Sequence, residues 1–278
     1  MSAGGSDPSG ERDGRIAGEG PLHDDAADSA PLQGRRRRGV YLLPNLFTTG
    51  VLFSGFFAIV SAIDGEYITA AIAIFVAMVL DTLDGRVARM TDTQSEFGAQ
   101  YDSLSDLVSF GVAPALIVYL WQLHDLGNFG WVAAFFFATA AALRLARFNS
   151  RLAVSDKRFF QGLPSPASAA LLVGMVWVLE DWGVPAELAD PYVIGILIVT
   201  VLAGAAMVSN LTYFSFKDMD FKHRVPFFAI VGVVVALMLL ALDPPKVLLA
   251  GFVIYALSGP LLTLERWRRH RRRAPAEE

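Results

Sequence analysis

The chain has 278 residues, 54% of them hydrophobic and 18% charged, with a mean hydropathy of +0.46, which excludes an ordinary soluble globular domain and indicates a membrane protein. A formal net charge of −4 averages an acidic N-terminal stretch with basic clusters, so it identifies no partner. The sequence has no cysteine, which rules out disulfides and thiolate metal sites and leaves any metal to oxygen or nitrogen ligands.

In chain order, residues 1–34 are rich in Gly, Ser, Asp, Ala and Pro and hold no apolar stretch. They are expected to be disordered and lack the apolar core of a signal peptide. Together with the basic cluster Arg35 to Arg38 they form a polar tail, residues 1–38. From Tyr41 onward, apolar runs long enough to cross a bilayer, roughly 20 residues each, recur between short polar breaks. They predict helices near 43–63, 67–90, 97–122, 128–148, 163–182, 190–212, 224–243 and 246–265. The last two are separated only by LDPPK, whose prolines stop one helix and start the next. The expected fold is therefore all-α, a polytopic bundle of about eight transmembrane helices over residues 39–266, followed by a basic tail, 267–278.

The distribution of basic residues gives this bundle an orientation. An even number of helices puts both termini and every second loop on one side, and of the 23 Lys and Arg all but Lys246 fall there. Both ends, and the loop between the second and third helices, are expected to face the cytoplasm. Trp121, Trp131 and Trp182 lie near the far ends of their helices, where interfacial aromatics are found. The Arg35 to Arg38 cluster and the RWRRHRRR tail read as topology signals that touch anionic lipid headgroups, not as a nucleic-acid surface.

Between the second and third runs stands DTLDGRVARMTDTQSEFGAQYDSLSD, Asp81 to Asp106. Asp81, Asp84, Gly85 and Ala88 are spaced by three and four residues and share one helix face; Gly98, Asp102 and Asp106 form an i, i+4 row on the next helix. A short loop makes the two helices antiparallel, so both carboxylate pairs come out near the same end. Acids that recur on facing intramembrane helices are functional by default, and their mutual repulsion calls for a cation. Carboxylates alone favour Mg2+ or Mn2+ over zinc. Gly85, Ala88 and Gly98 are small enough to let a ligand approach the backbone, and Arg89 brings a guanidinium suited to phosphate. These features describe a diphosphate site.

The spacing D-x2-D-G-x2-A-R-x8-G-x3-D-x3-D resembles the signature of the CDP-alcohol phosphatidyltransferase family, matched by Asp81, Asp84, Gly85, Ala88, Arg89, Gly98, Asp102 and Asp106. The resemblance implies a helical membrane enzyme, usually a homodimer, that moves a phosphatidyl group from a CDP-linked lipid to an alcohol and releases CMP. It further implies that Asp81, Asp84 and Asp102 ligate the metal, that Asp106 is the general base and also borders the metal, and that Gly85 and Ala88 floor the cytidine pocket. Asn45 and Thr48, read as the head of the first helix, resemble residues lining the nucleotide side; helix capping is the alternative.

Three further stretches, RLARFN (144–149), FQGLPSPA (160–167) opening the fifth helix, and MVSNLTYFSFK (207–217) closing the sixth, resemble the phosphatidylserine synthase branch of that family. The implied substrates are CDP-diacylglycerol and L-serine, met at the cytoplasmic face of the cytoplasmic membrane. Serine is a zwitterion, and Arg144 and Arg147 are candidates to receive its carboxylate. The rival readings are a sister enzyme with another acceptor, such as inositol phosphate or glycerol phosphate, or with an ether-lipid donor, an intramembrane prenyltransferase, and a cation transporter. The last requires polar groups continuing to the far face, where the helices are nearly pure Ala, Val, Leu, Ile and Phe.

Overall fold

The computed structural model describes residues 33–90, 95–151, 159–184, 190–214 and 227–273. The chain divides into two compact units, Met1–Arg38 and Gly39–Glu278, and the architecture below is that of the second. Helix follows helix: α1 (Gln33–Ile63), α2 (Tyr67–Met90), α3 (Glu96–Asp106), α4 (Ala113–Trp121), α5 (Asn128–Arg151), α6 (Ser165–Asp181), α7 (Asp190–Val208), α8 (Phe227–Leu242) and α9 (Pro244–Arg273). A π-helical turn, Leu107–Val112, joins α3 to α4, so that Glu96–Trp121 is one continuous span. Counted that way, the described residues hold eight helices, at the places the hydropathy pattern predicts. Five spans are long and apolar enough to cross a membrane: Asn45–Ile63, Tyr67–Val87, Glu96–Trp121, Asn128–Ser150 and Pro244–Leu264. Tyr192–Val208 and Val231–Leu242 are shorter apolar helices, and α6 has 17 residues.

Local chemistry explains the boundaries. Gly65, at φ 81°, turns the chain between α1 and α2. Ser95 caps α3, its Oγ accepting from the Gly98 N–H at 3.0 Å. Pro164 is the N-cap of α6, with Pro166 in its first turn. Asp243 caps α9, its Oδ1 accepting from the Lys246 N–H at 3.3 Å while its other oxygen pairs with the Lys246 ammonium.

The packing is that of a membrane bundle. α5 lies against α7, and α6 lies against both α2 and α9. Small residues recur among the buried ones, including Ala58, Ala70, Ala77, Ala113, Ala141, Ala169 and Ala170, allowing close helix approach where van der Waals contact is the driving force. Large apolar residues such as Phe53, Phe56, Phe135, Ile194, Leu202 and Leu237 point outward, the inverse of a soluble core and the arrangement lipid favours. Some buried hydroxyls are satisfied by main-chain carbonyls, as Ser168 Oγ is by Ala203 O at 3.2 Å and Thr200 Oγ1 by Ile196 O at 2.9 Å.

Three sequence expectations are corrected here. The sixth predicted helix stops at Val208, not 212; the chain leaves it at Ser209, and Thr212–Phe214 (β2) pairs antiparallel with Phe159–Gln161 (β1), Phe160 opposite Tyr213, while residues 215–217 of MVSNLTYFSFK lie outside the described residues. Ser209 favours the break, its Oγ accepting from the Leu211 N–H at 3.3 Å, and the β-branched and aromatic Thr-Tyr-Phe suits a strand. The head of α1 lies at Gln33, so Asn45 and Thr48 are interior helical residues and cap nothing; arginine is a good helix former, and the run before them continues the helix. Trp131 and Trp182 are exposed as interfacial aromatics should be, but Trp121 is buried, its Nε1 donating to Glu180 Oε1 at 2.5 Å.

The small ladder is clipped to the bundle. Tyr213 is buried, packs 5.6 Å from the Tyr255 ring and donates to Ala256 O at 3.2 Å. Gly162, at φ 83°, follows β1, and a Cβ there would stand 2.2 Å from Met207 O. Gly162→Ala is therefore expected to cost a few kcal/mol, read as a melting temperature several degrees lower in detergent.

Candidate active site

The short connection after α2 returns the chain as α3, whose last turns carry Asp102 and Asp106 toward Asp81 in the second half of α2. One carboxylate oxygen from each of Asp81, Asp102 and Asp106 lies within 4.8 Å of the others, and all three residues are half-buried. Asp84 stands outside this group of three. It is 5% exposed, and its Oδ2 accepts from Thr48 Oγ1 of α1 at 3.0 Å. Its charge nonetheless acts on both Asp102 and Asp106. At such separations each pair of negative charges repels by several kcal/mol at an effective dielectric constant near ~20. Asp106 Oδ1 is buried without a hydrogen-bond partner. Converging carboxylates around an orphaned, buried oxygen fit a hard divalent cation with oxygen ligands.

The other residues singled out in the sequence fall around this cluster. A Cβ on Gly85 would meet nothing within 4 Å, so the backbone beside Asp84 faces open space. Gly98 is closed in: a Cβ there would lie 3.1 Å from Ser95 Oγ and 3.6 Å from Asn45 Oδ1, so its smallness lets α3 approach α1. The Asn45 carbonyl accepts from Thr49 Oγ1 at 2.8 Å, and the Thr49 hydroxyl lies 3.0 Å from the Tyr101 hydroxyl. The side chains of Ala88 and Arg89 lie outside the described residues.

The two candidate arginines differ. Arg144 of α5 is directed inward: it interacts electrostatically with Asp106, its Nη1 donates to Ser165 Oγ at 3.0 Å, and its buried Nε has no hydrogen-bond partner. Arg147, one turn on, ties separate segments together. Its Nη1 donates to Val208 O at 3.2 Å, and its Nη2 donates to Gln161 Oε1 at 2.5 Å and Asn210 Oδ1 at 2.9 Å. It thereby joins the ends of β1 and α7.

Sequence reasoning missed several members of the site. Ser165, read only as part of a helix start, holds Arg144. Ser103 and Asn149 tie α3 to α5, Asn149 Nδ2 donating to Ser103 Oγ at 3.0 Å. Tyr101 neighbours Asp102 inside the signature but carries no spacing signal of its own. Tyr255 of α9 acts electrostatically on Arg144, a contact that depends on the return of a helix far along the chain.

Comparison with known proteins identifies the family. The CDP-alcohol phosphatidyltransferase family model matches residues 41–212. A CDP-diacylglycerol–serine O-phosphatidyltransferase of Helicobacter pylori (strain J99) is 36% identical over 219 residues, which are 78% of this chain and 90% of that protein. A protein of the same name from Methanocaldococcus jannaschii is 37% identical over 186 residues, 67% of this chain and 80% of its own length. One from Saccharomyces cerevisiae is 40% identical over 142 residues, 46% of this chain and 51% of that protein. With the family match spanning most of the bundle and the facing aspartates inside it, the chain is an integral membrane protein that belongs to the CDP-alcohol phosphatidyltransferase family.

Proposed function

We infer that this chain transfers the phosphatidyl group of CDP-diacylglycerol to the hydroxyl of L-serine and releases CMP. The observation that carries the reading is the convergence of Asp81, Asp102 and Asp106 at the junction of α2 and α3. Relatives from a bacterium, an archaeon and a yeast, all bearing the name of that activity, support it.

In this reading Asp81, Asp102 and Asp106 hold a Mg2+ or Mn2+ ion, with Asp84 completing the acidic set from its hydrogen bond to Thr48. When bound, such an ion supplies the positive charge that the lipid-linked diphosphate needs as its bridging bond breaks. Gly85 and Ala88 floor the nucleotide pocket, and Asn45, Thr48 and Arg89 serve the CDP-lipid side of the site, while Gly98 lets α3 approach Asn45 of α1. Asp106 accepts the proton of the serine hydroxyl on a carboxylate oxygen. The serine oxygen forms its bond to the phosphorus that carries diacylglycerol, and the bond from that phosphorus to the bridging oxygen breaks, so CMP leaves with that oxygen. A carboxylate is a weak base for an alcohol, so positioning within the dry bundle carries much of the acceleration.

Arg144 suits the serine carboxylate better than Arg147, because its Nε is buried and uncommitted while both terminal nitrogens of Arg147 are engaged. Arg144→Lys keeps the charge and loses the fork. It is expected to raise KM for serine by about tenfold or more while leaving KM for CDP-diacylglycerol within about threefold. Steady-state kinetics with each substrate varied in turn checks this.

The remaining proposals concern the whole molecule. Eight spans cross the cytoplasmic membrane with both ends and the active site on the cytoplasmic side, as the Lys and Arg distribution supports. Residues 1–38 are a polar tail, 39–266 the catalytic membrane domain and 267–278 a basic tail; two copies associate as a homodimer. A sister activity is tested directly by measuring CMP release with serine, inositol phosphate and glycerol phosphate offered separately.

A further inference from the structure

The segment after Asp106 is not α-helical. Ala113 N–H bonds Val108 O, an i→i−5 link, and residues Leu107–Val112 form the wide turn. The sequence explains why. Pro114 has no N–H to donate, and its ring would press on the carbonyl four residues back in an unbroken α-helix; widening the turn relieves that clash. The turn is also gripped from both sides. Ser109 is fully buried and its Oγ donates to Val51 O of α1 at 2.9 Å. A Cβ on Gly55 of α1 would stand 2.7 Å from Ser109 Cα, and one on Gly111 would stand 3.0 Å from Ala141 Cβ of α5. Only glycine at these positions lets the wide turn sit so close to α1 and α5.

The turn changes which way the aspartates face. The residues α4 buries are Ala113, Pro114, Ala115, Ile117, Val118 and Trp121. At roughly 100° per residue, an unbroken α-helix would set their midline about 90° away from the line through Asp102 and Asp106. The extra residue of a π turn sets every later residue back by roughly 100° and brings the two within about 20°. We propose that the π turn at Leu107–Val112, pinned by Ser109 to Val51 across Gly55, is the positioning element that keeps Asp102 and Asp106 turned toward Asp81 while α4 stays packed in the bundle. Ser109, Gly55 and Pro114 are positioning residues; none of them touches substrate. The inference rests on the functional reading only in assigning Asp106 to the chemistry.

The phase can be tested by length. Deleting Val112 together with Pro114→Ala removes the extra residue and its cause, leaving an α-helix whose two faces stay aligned. Deleting Val112 and Ala113 together with Pro114→Ala leaves them about 100° apart. The first variant is expected to bind Mn2+, followed by electron paramagnetic resonance, within about threefold of the parent and to keep CMP release within about tenfold; the second is expected to lose about tenfold or more in Mn2+ affinity and about 10^3-fold in CMP release. A first variant that is folded, judged by a monodisperse profile in detergent, yet loses Mn2+ as the second does overturns the proposal. Should neither deletion yield folded protein, Ser109→Ala decides. Loss of the pin is expected to lower kcat about tenfold with both KM values unchanged, and an unchanged kcat overturns it. A parent that binds Mn2+ with the expected pattern but releases no CMP leaves the positioning inference standing and defeats the functional reading instead.

Discussion

Asp106→Asn is expected to lower CMP release by at least about 10^3-fold while CDP-diacylglycerol still binds. The substitution keeps the shape of the side chain and removes its capacity to take a proton, in a position where one carboxylate oxygen is buried with no hydrogen-bond partner and Arg144 acts on the group electrostatically. The comparison with Asp81→Asn gives the prediction its edge. If Asp106→Asn abolished CDP-lipid binding as severely as Asp81→Asn does, Asp106 would act mainly as a metal ligand and the base would have to be sought elsewhere. Equilibrium binding of CDP-diacylglycerol to the two purified variants, alongside their turnover, separates these outcomes.

Asp81→Asn carries the second large effect. Asp81 is the member of the acidic trio contributed by α2, and it closes the group to within 4.8 Å with Asp102 and Asp106 of α3. Replacing it leaves Asp102 and Asp106 from one helix, with Asp84 of α2, already bonded to Thr48, as the only other carboxylate of the set. The metal concentration for half-maximal activity is expected to rise by about tenfold to a hundredfold, with turnover at fixed low metal falling by about 10^3-fold. Part of that loss should return as Mn2+ is raised, because the remaining oxygens still converge. A metal requirement equal to that of the parent would remove Asp81 from the ion's shell.

Much of this was legible in the sequence, for physical reasons that can be named. Helices that must satisfy every backbone group inside lipid leave long apolar runs, and these placed all eight. The aspartates were legible because i, i+3 and i, i+4 spacing fixes a face without any tertiary information, and the short link between α2 and α3 then forces the faces together. What could not be read depended on contacts distant in the chain. The pairing of Phe159–Gln161 with Thr212–Phe214 joins two segments of three residues, too short to show a period. Trp121 looked like an interfacial residue until Glu180, on another helix, proved to be its partner. Arg144 and Arg147 differ by a single turn, yet one bonds Ser165 of α6 and interacts electrostatically with Asp106 while the other bonds the end of α7; α6, α7 and β1 decide that difference. Asn45 and Thr48 were misplaced at a helix head because charge does not stop a helix at a membrane surface. Gly98 was read as clearing space for a ligand, whereas its neighbours are Ser95 and Asn45.

The central claim is that acidic groups from two adjacent spans serve a metal-dependent transfer from CDP-diacylglycerol to serine. The measurement that tests it most directly uses purified full-length protein in detergent–lipid micelles with CDP-diacylglycerol, Mg2+ or Mn2+ and radiolabelled serine. The account predicts label in the lipid phase, CMP released in equal amount, and both abolished by chelator and restored by added metal. Lipid labelling that persists with chelator, or CMP release with another alcohol and none with serine, would contradict it.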